Sequence, residues 1–301
     1  MRVRKTNVRM KRRSTGAGMD KKFLIEMTYE EAAQAFKQTD TALISTGSVE
    51  QHGPACALGL DTLCSWDVTQ RVAKLVDCIV APPLPFGFAR QWMNYPGTLT
   101  LQRNTFEAVV DDICKSMLWH GAKRIVIING HGRNSVILND VALRLKYETG
   151  ALVFHVDWWK IAAAAREEIG LENPPSELPA GHASEVETSG LWAVDPKYIR
   201  PDRLVKEELP FAIFPGSSEI KTAPLETPIS VSYAPFGTYQ AGTGLDGTQH
   251  TRTGILGNQK RASREKGERA FAIISERIAG FIREVQKIEV GKVQVDERSF
   301  Y

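Results

Sequence analysis

Residues 124–134 read Arg124-Ile125-Val126-Ile127-Ile128-Asn129-Gly130-His131-Gly132-Arg133-Asn134. The apolar run 124–128 is a strand of the kind that parallel sheets bury on both faces. It breaks into the sharp turn Asn129-Gly130-His131-Gly132, and a helix over 135–149 leads to a further strand over 151–156. Upstream, 41–46 is another apolar run, ended by Gly47 and followed by a helix over 62–76 and a short strand over 78–81. Helices are also expected over 28–38, where Thr28 can cap, over 104–119, and over 260–285 at the carboxyl end. Strands joined by crossovers of a dozen or more residues predict a layered α/β fold with a mostly parallel central sheet.

The chain has 301 residues, 43% hydrophobic and 24% charged, which fits a folded chain with a sizeable core and excludes a disulfide scaffold or a wholly disordered protein. Its net charge of +3 is misleading. Residues 1–19 hold seven of the 38 Lys and Arg and no acid, so the rest has 31 bases against 35 acids, a net of −4. The folded part is therefore acidic, and a nucleic-acid partner is not expected. The basic segment 1–19 reads as a disordered, dispensable extension, with Met10 or Met19 as alternative starts. It lacks the apolar core of a secretory signal. No run of 18 apolar residues predicts a membrane span. Cys56, Cys64, Cys78 and Cys114 lack metal-knuckle or CxxC spacing and read as free thiols of a cytoplasmic protein. One domain over 20–285 and a polar appendage over 286–301 are the simplest division. The Pro-, Gly-, Ser- and Thr-rich stretch 205–250, with a strand-like piece at 229–233, reads as an excursion or an oligomer contact.

Polar groups collect where the strands end. Gly47-Ser48-Val49-Glu50-Gln51-His52-Gly53-Pro54 sets Glu50 and His52 two apart, which turns both to one side of an extended segment. Asp61 precedes a helix, His131 ends the central strand, and Gly181-His182-Ala183-Ser184-Glu185-Val186-Glu187 adds an imidazole and two carboxylates. Carboxylates with imidazoles suit zinc, manganese or iron(II), and a carboxylate can bridge two ions. The dull readings stand beside this one: Asp61 as a helix N-cap, Glu185 and Glu187 as first-turn acids, a histidine bonded to a backbone carbonyl. Dinucleotide, P-loop and nucleophile-elbow motifs are absent. Trp92, Tyr95, Trp158 and Trp159 are candidates to stack on a planar or cyclic substrate, or to fill core.

Residues 47–54, 58–62, Tyr95-Pro96-Gly97-Thr98-Leu99, 129–134, 182–189 and 254–267 together resemble the creatininase family of metal-dependent amidohydrolases. The resemblance implies a three-layer α/β/α sandwich with two divalent ions per subunit at the strand ends, zinc first, with manganese or iron(II) as alternatives. It implies Glu50, His52, Asp61, His131 and Glu187 as ligands, with Asp61 bridging and Glu187 rather than Glu185 completing the set. His182 would be the acid/base group. The implied reaction is attack of activated water on a cyclic amide, lactam or other non-peptide C–N amide bond of a small polar substrate. Hydrolytic C–C cleavage of a cyclic ketone such as an oxidised inositol is the alternative, and an inactive metal-binding assembly protein the non-enzyme one. A homo-oligomer, a hexamer by resemblance, is implied too. Two positions depart from the family pattern. Arg133 stands where the family has glycine, or an acid in true creatininases, and is a candidate to meet a negative group of the substrate or to pair with a surface acid. Ser184 stands where glycine is preferred.

Overall fold

The computed structural model describes residues 22–172, 181–207, 251 and 253–300. The basic segment 1–19 and the strand-like piece 229–233 lie outside the described residues. Four parallel strands, β1 (Thr41–Thr46), β2 (Ile79–Val80), β3 (Arg124–Asn129) and β4 (Leu152–Asp157), form a sheet in the order β2-β1-β3-β4. Registers Thr46↔Asn129 and Asn129↔Asp157 bring the carboxyl ends of β1, β3 and β4 into line. From β1 the chain steps outward to β2, then crosses to β3 on the other side. The reversal leaves a crevice between the ends of β1 and β3, where open α/β sheets bind their ligands.

Alternation along the strands builds the layers. Leu43, Val80, Val126 and Ile128 face helices α2 (Leu60–Ala73), α7 (Glu185–Val194) and α8 (Arg264–Lys287), where Leu60, Val68, Leu191, Phe271 and Ile274 fill the core. Ala42, Ile44, Ile125 and Ile127 face the other way, onto α3 (Arg103–Trp119) and α4 (Asn134–Thr149), with Phe106, Val110, Ile137 and Val141. Each wholly buried aliphatic side chain stabilises the fold by about 1.5–3 kcal/mol over exposure. The result is the α/β/α sandwich expected. Helices α1 (Tyr29–Gln38), α5 (Trp158–Ala164) and α6 (Arg166–Ile169) complete the named helices, and β5 (Lys206–Glu207) pairs antiparallel with β6 (Gly257–Asn258). Thr28 caps α1 in a capping box with Glu31.

Three boundaries differ from expectation for identifiable reasons. Helix α2 starts at Leu60 with Gly59 as its N-cap, so Asp61 lies inside the first turn and does not cap. Helix α8 starts at Arg264 rather than near 260, because Ser263 accepts from the Lys266 amide and resets the start after a separate turn at Gln259–Arg261. The carboxyl-terminal segment is not merely polar. Val293 and Val295 pack on the α3/α4 core, and the Gln294 amide donates to the Thr149 carbonyl at 3.0 Å.

Two glycines let α2 reach the sheet. A Cβ at Gly47 would fall closer than 3.0 Å to the Thr62 backbone, and one at Gly130 closer than 3.0 Å to the Asp61 carbonyl. The dihedral angles of neither glycine are unusual; the constraint is contact alone. Gly280, inside α8, is the opposite case, with open space where a Cβ would go. Gly280→Ala is expected to stabilise the protein by about 0.5–1 kcal/mol through helix propensity. Gly130→Ala is expected to cost about 1–3 kcal/mol through overpacking. Denaturant melts of the two variants check the contrast, and equal effects would remove the contact argument.

Candidate metal centre

The loops after β1 and β3, the first turn of α2 and the start of α7 deliver six side chains to one crevice. Asp61 sits between two imidazoles: its Oδ1 is 3.0 Å from His52 Nε2 and its Oδ2 is 3.0 Å from His131 Nδ1. Glu50 Oε1 lies 3.2 Å from His131 Nδ1, 3.6 Å from His182 Nδ1 and 4.0 Å from His52 Nε2. Glu187 Oε2 stands 4.0 Å from His52 Nε2. Two groups have the spacing of ligand sets, Glu50 with Asp61 and His131, and Glu50 with His52 and His182. The period-two reading of Glu50 and His52 thus holds, and Asp61 is turned to the histidines rather than to a backbone amide.

The imidazoles show why cations belong here. His52 Nδ1 meets the Glu50 carbonyl at 3.1 Å, His131 Nε2 the Phe88 carbonyl at 3.0 Å and His182 Nε2 the Gln51 carbonyl at 2.7 Å. A neutral ring that donates to a carbonyl from one nitrogen points a lone pair from the other. Here that lone pair faces carboxylate oxygens. His52 Nε2 is buried and makes no hydrogen bond, although Asp61 Oδ1 is near. Lone pairs of imidazole and carboxylate turned on one another repel unless a proton or a metal ion lies between, and a histidine oriented by a carbonyl on its far side is the usual metal-ligand arrangement. Carboxylates and imidazoles gathered in one crevice fit two divalent ions.

Without metal, protons take that place. Burial alone would lower His52, but Asp61, Glu50 and Glu187 outweigh it and push the ring from its ordinary 6.5 to about 9. His131 is raised too: burial opposes, and Glu50 and Asp61 win. Burial raises Glu187 to about 8, and it raises Glu50 as well. Asp61 goes the other way, for although burial would raise it, His52 and His131 hold it well below the usual carboxylate range. His182 is lowered by burial and by the neighbouring His52.

Helix α7 separates its two acids. Glu185 pairs with Lys266 of α8 at 2.7 Å and accepts from the Glu172 amide, away from the crevice. Glu187 faces His52 and accepts from the Ala183 amide at 2.6 Å. Ala183 has a positive φ of 52°, an unusual conformation for a residue with a Cβ, and it turns His182 back into the crevice. Ser184 is buried, and its hydroxyl has no hydrogen-bond partner.

The aromatic candidates divide. Trp92 stacks on the His182 ring, centroids 4.3 Å apart and planes 20° from parallel, and Tyr95 meets Trp92 edge-on while its hydroxyl donates to the Thr251 carbonyl. Trp158 lies in the core against Phe271, and Trp159 beside it comes within 4.0 Å of where a Gly132 Cβ would be. Arg133 is half-buried at the start of α4, within electrostatic reach of Glu50. The four cysteines are free. Gln51 is the residue that sequence reasoning passed over. Its side-chain amide donates to the Gly254 carbonyl at 2.7 Å and sits 2.9 Å from His182 Nε2. Alternation places it opposite Glu50 and His52, and only the return of residues 253–259 to that side gives it a role.

The fold and this centre define a metal-dependent hydrolase with a two-ion site. The family model described as creatininase, creatinine amidohydrolase, matches residues 25–282. A creatinine amidohydrolase of Pseudomonas putida is 30% identical over 87% of this chain and 96% of its own. A 3-dehydro-scyllo-inosose hydrolase of Thermotoga maritima is 26% identical over 89% and 85%. A solved structure described as creatininase with manganese superposes with a TM-score of 0.69 at 28% identity, covering 90% of this chain and all of that one. The chain belongs to the creatininase family.

The raised groups set a pH signature for the metal-stripped protein. His52 and Glu187 bind protons more tightly folded than unfolded, so stability is greatest at low pH within their range and is lost as pH rises toward about 8 and 9. Thermal melts between pH 6.5 and 9 are expected to show Tm falling in the stripped protein and a flatter profile after zinc loading. Parallel profiles would mean that protons and metal do not share the site.

Proposed function

We propose that the protein opens a cyclic amide or lactam, or cleaves another non-peptide C–N amide bond, in a small polar substrate. The observation that carries this reading is Asp61, whose two oxygens each face a different imidazole. The 30% identity with a creatinine amidohydrolase along nearly the whole of both chains supports the bond type. The ligands are Glu50, His52, Asp61, His131 and Glu187, with Asp61 shared; zinc is the first choice of ion, manganese or iron(II) the alternatives. Bound divalent ions supply a more acidic water and polarise a carbonyl.

The chain's own residues do the rest. His131 and His52 are held by backbone carbonyls on their outer nitrogens and keep their inner nitrogens on Asp61. His182 is the proton carrier. Its side chain is 11% exposed, against none for His52, so it is the histidine that faces the mouth. The neutral ring can take a proton and hand it to the departing nitrogen. Trp92 stacked behind it and Gln51 beside it restrict its motion. Tyr95 and Arg133, both half-buried, are the candidates to meet the substrate, whereas Trp92, Trp158 and Trp159 are buried.

The second reading is C–C cleavage of a cyclic ketone, favoured by the likeness to the Thermotoga hydrolase. It needs the same activated water and a carbanion leaving group. We also take residues 20–285 as one domain of a cytoplasmic homo-oligomer, hexameric by family resemblance. Among the described residues no helix is long and apolar enough to cross a membrane.

The deciding experiment screens metal-loaded protein against cyclic amides and cyclic ketones, reading new amine and carboxylate separately from ring-opened ketone. Glu50→Gln is expected to lower both bound metal and turnover. His182→Ala is expected to keep its metal and lose about 10²–10⁴-fold in kcat. Loss of metal from the His182 variant would make it a ligand instead, and full activity in both variants would sink the mechanism.

A further inference from the structure

We propose that the substrate carries a carboxylate or a comparable anionic group, recognised by Arg133; the inference rests on the hydrolase reading and names its substrate class. Arg133 occupies the residue before the first turn of α4, two positions past His131, so its backbone is fixed by a helix and by a strand end. Three other buried or half-buried guanidinium groups have carboxylate partners, Arg71 with Asp67 and Glu268, Arg124 with Asp40, Arg144 with Asp111, and Arg261 donates to the Glu172 carbonyl. Arg133 has none among the described residues, and its Nε is buried without a hydrogen-bond partner. Glu50 is not available to pair with it, since its oxygens are turned to His131, His182 and Ser48.

The cation therefore stands at the metal crevice with its donors unused. An acidic substituent matches those unused donors, because the planar fork of arginine binds carboxylates through two parallel hydrogen bonds.

The test uses pairs of compounds that differ only in the acid group: 2-pyrrolidone with its 5-carboxylate, and dihydrouracil with dihydroorotate. Each is titrated calorimetrically into zinc-loaded protein and assayed for ring opening. In at least one pair the carboxylate is expected to bind about tenfold or more tightly than its neutral partner. Arg133→Met is expected to bring that ratio near one, and Arg133→Lys, which keeps the charge without the fork, to give an intermediate ratio. Bound metal is measured in each variant. If Arg133→Met loads poorly, the fully loaded Arg133→Lys decides, and an unchanged ratio there overturns the proposal. Equal binding within both pairs, or a preference that survives Arg133→Met at full metal content, overturns it too. A carboxylate preference in binding with no ring opening of any compound would support anion recognition and count against the amide-opening reading.

Discussion

The centre depends on one close approach: the amino-terminal turn of α2 pressed against the ends of β1 and β3. Gly47 and Gly130 make it possible, since side chains at either would meet the backbone of Thr62 or Asp61. Because α2 comes this near, the Asp61 carboxylate spans the gap between a histidine from the loop after β1 and one from the turn after β3. The switch in strand order creates the crevice, and the glycines let a helix carboxylate into it. Neither is sufficient alone.

The same geometry crowds the donors. Three buried carboxylates and three imidazoles cannot all adopt their ordinary charge states without compensation in so small a volume. Protons on His52 and Glu187 can supply part of it. Divalent ions, which displace those protons, supply it more fully. The backbone carbonyls of Glu50, Phe88 and Gln51 prepare for this by fixing each imidazole through its outer nitrogen. The scaffold thus holds the donors in place at some cost to itself, which is how a site can bind metal tightly without rearranging.

Much of this was legible in the sequence. The strand at 124–128 followed by glycine and histidine placed His131 correctly, since apolar strands and glycine turns are local signals. The alternation of Glu50 and His52 was equally local. What local patterns could not show were contacts made across long separations. Nothing near Asp61 distinguishes a cap from a carboxylate turned to two histidines; the decision is made by Gly130, far along the chain. Gln51 looks away from the site by period and is recruited by Gly254. The division between Glu185 and Glu187 needed α8, because Lys266 claims the first and leaves the second for the crevice. Trp158 and Trp159 are adjacent and alike in sequence and both are buried in one core, Trp158 against Phe271 and Trp159 toward Gly132.

The pairing of α7 with α8 has a consequence for how the centre comes into being. Gly267 of α8 lies so close to α7 that a Cβ there would collide with the Ser189 carbonyl, and Lys266 is ion-paired to Glu185. Helix α7, which carries Glu187, is therefore seated by a helix that follows it in the chain. Glu50, His52, Asp61 and His131 belong to elements that precede both helices. The group of Glu50, Asp61 and His131 thus gathers from elements near in sequence, whereas Glu187 reaches the crevice only where α8 holds α7 in place. Position along the polypeptide separates the donors that gather locally from the one that depends on a distant helix.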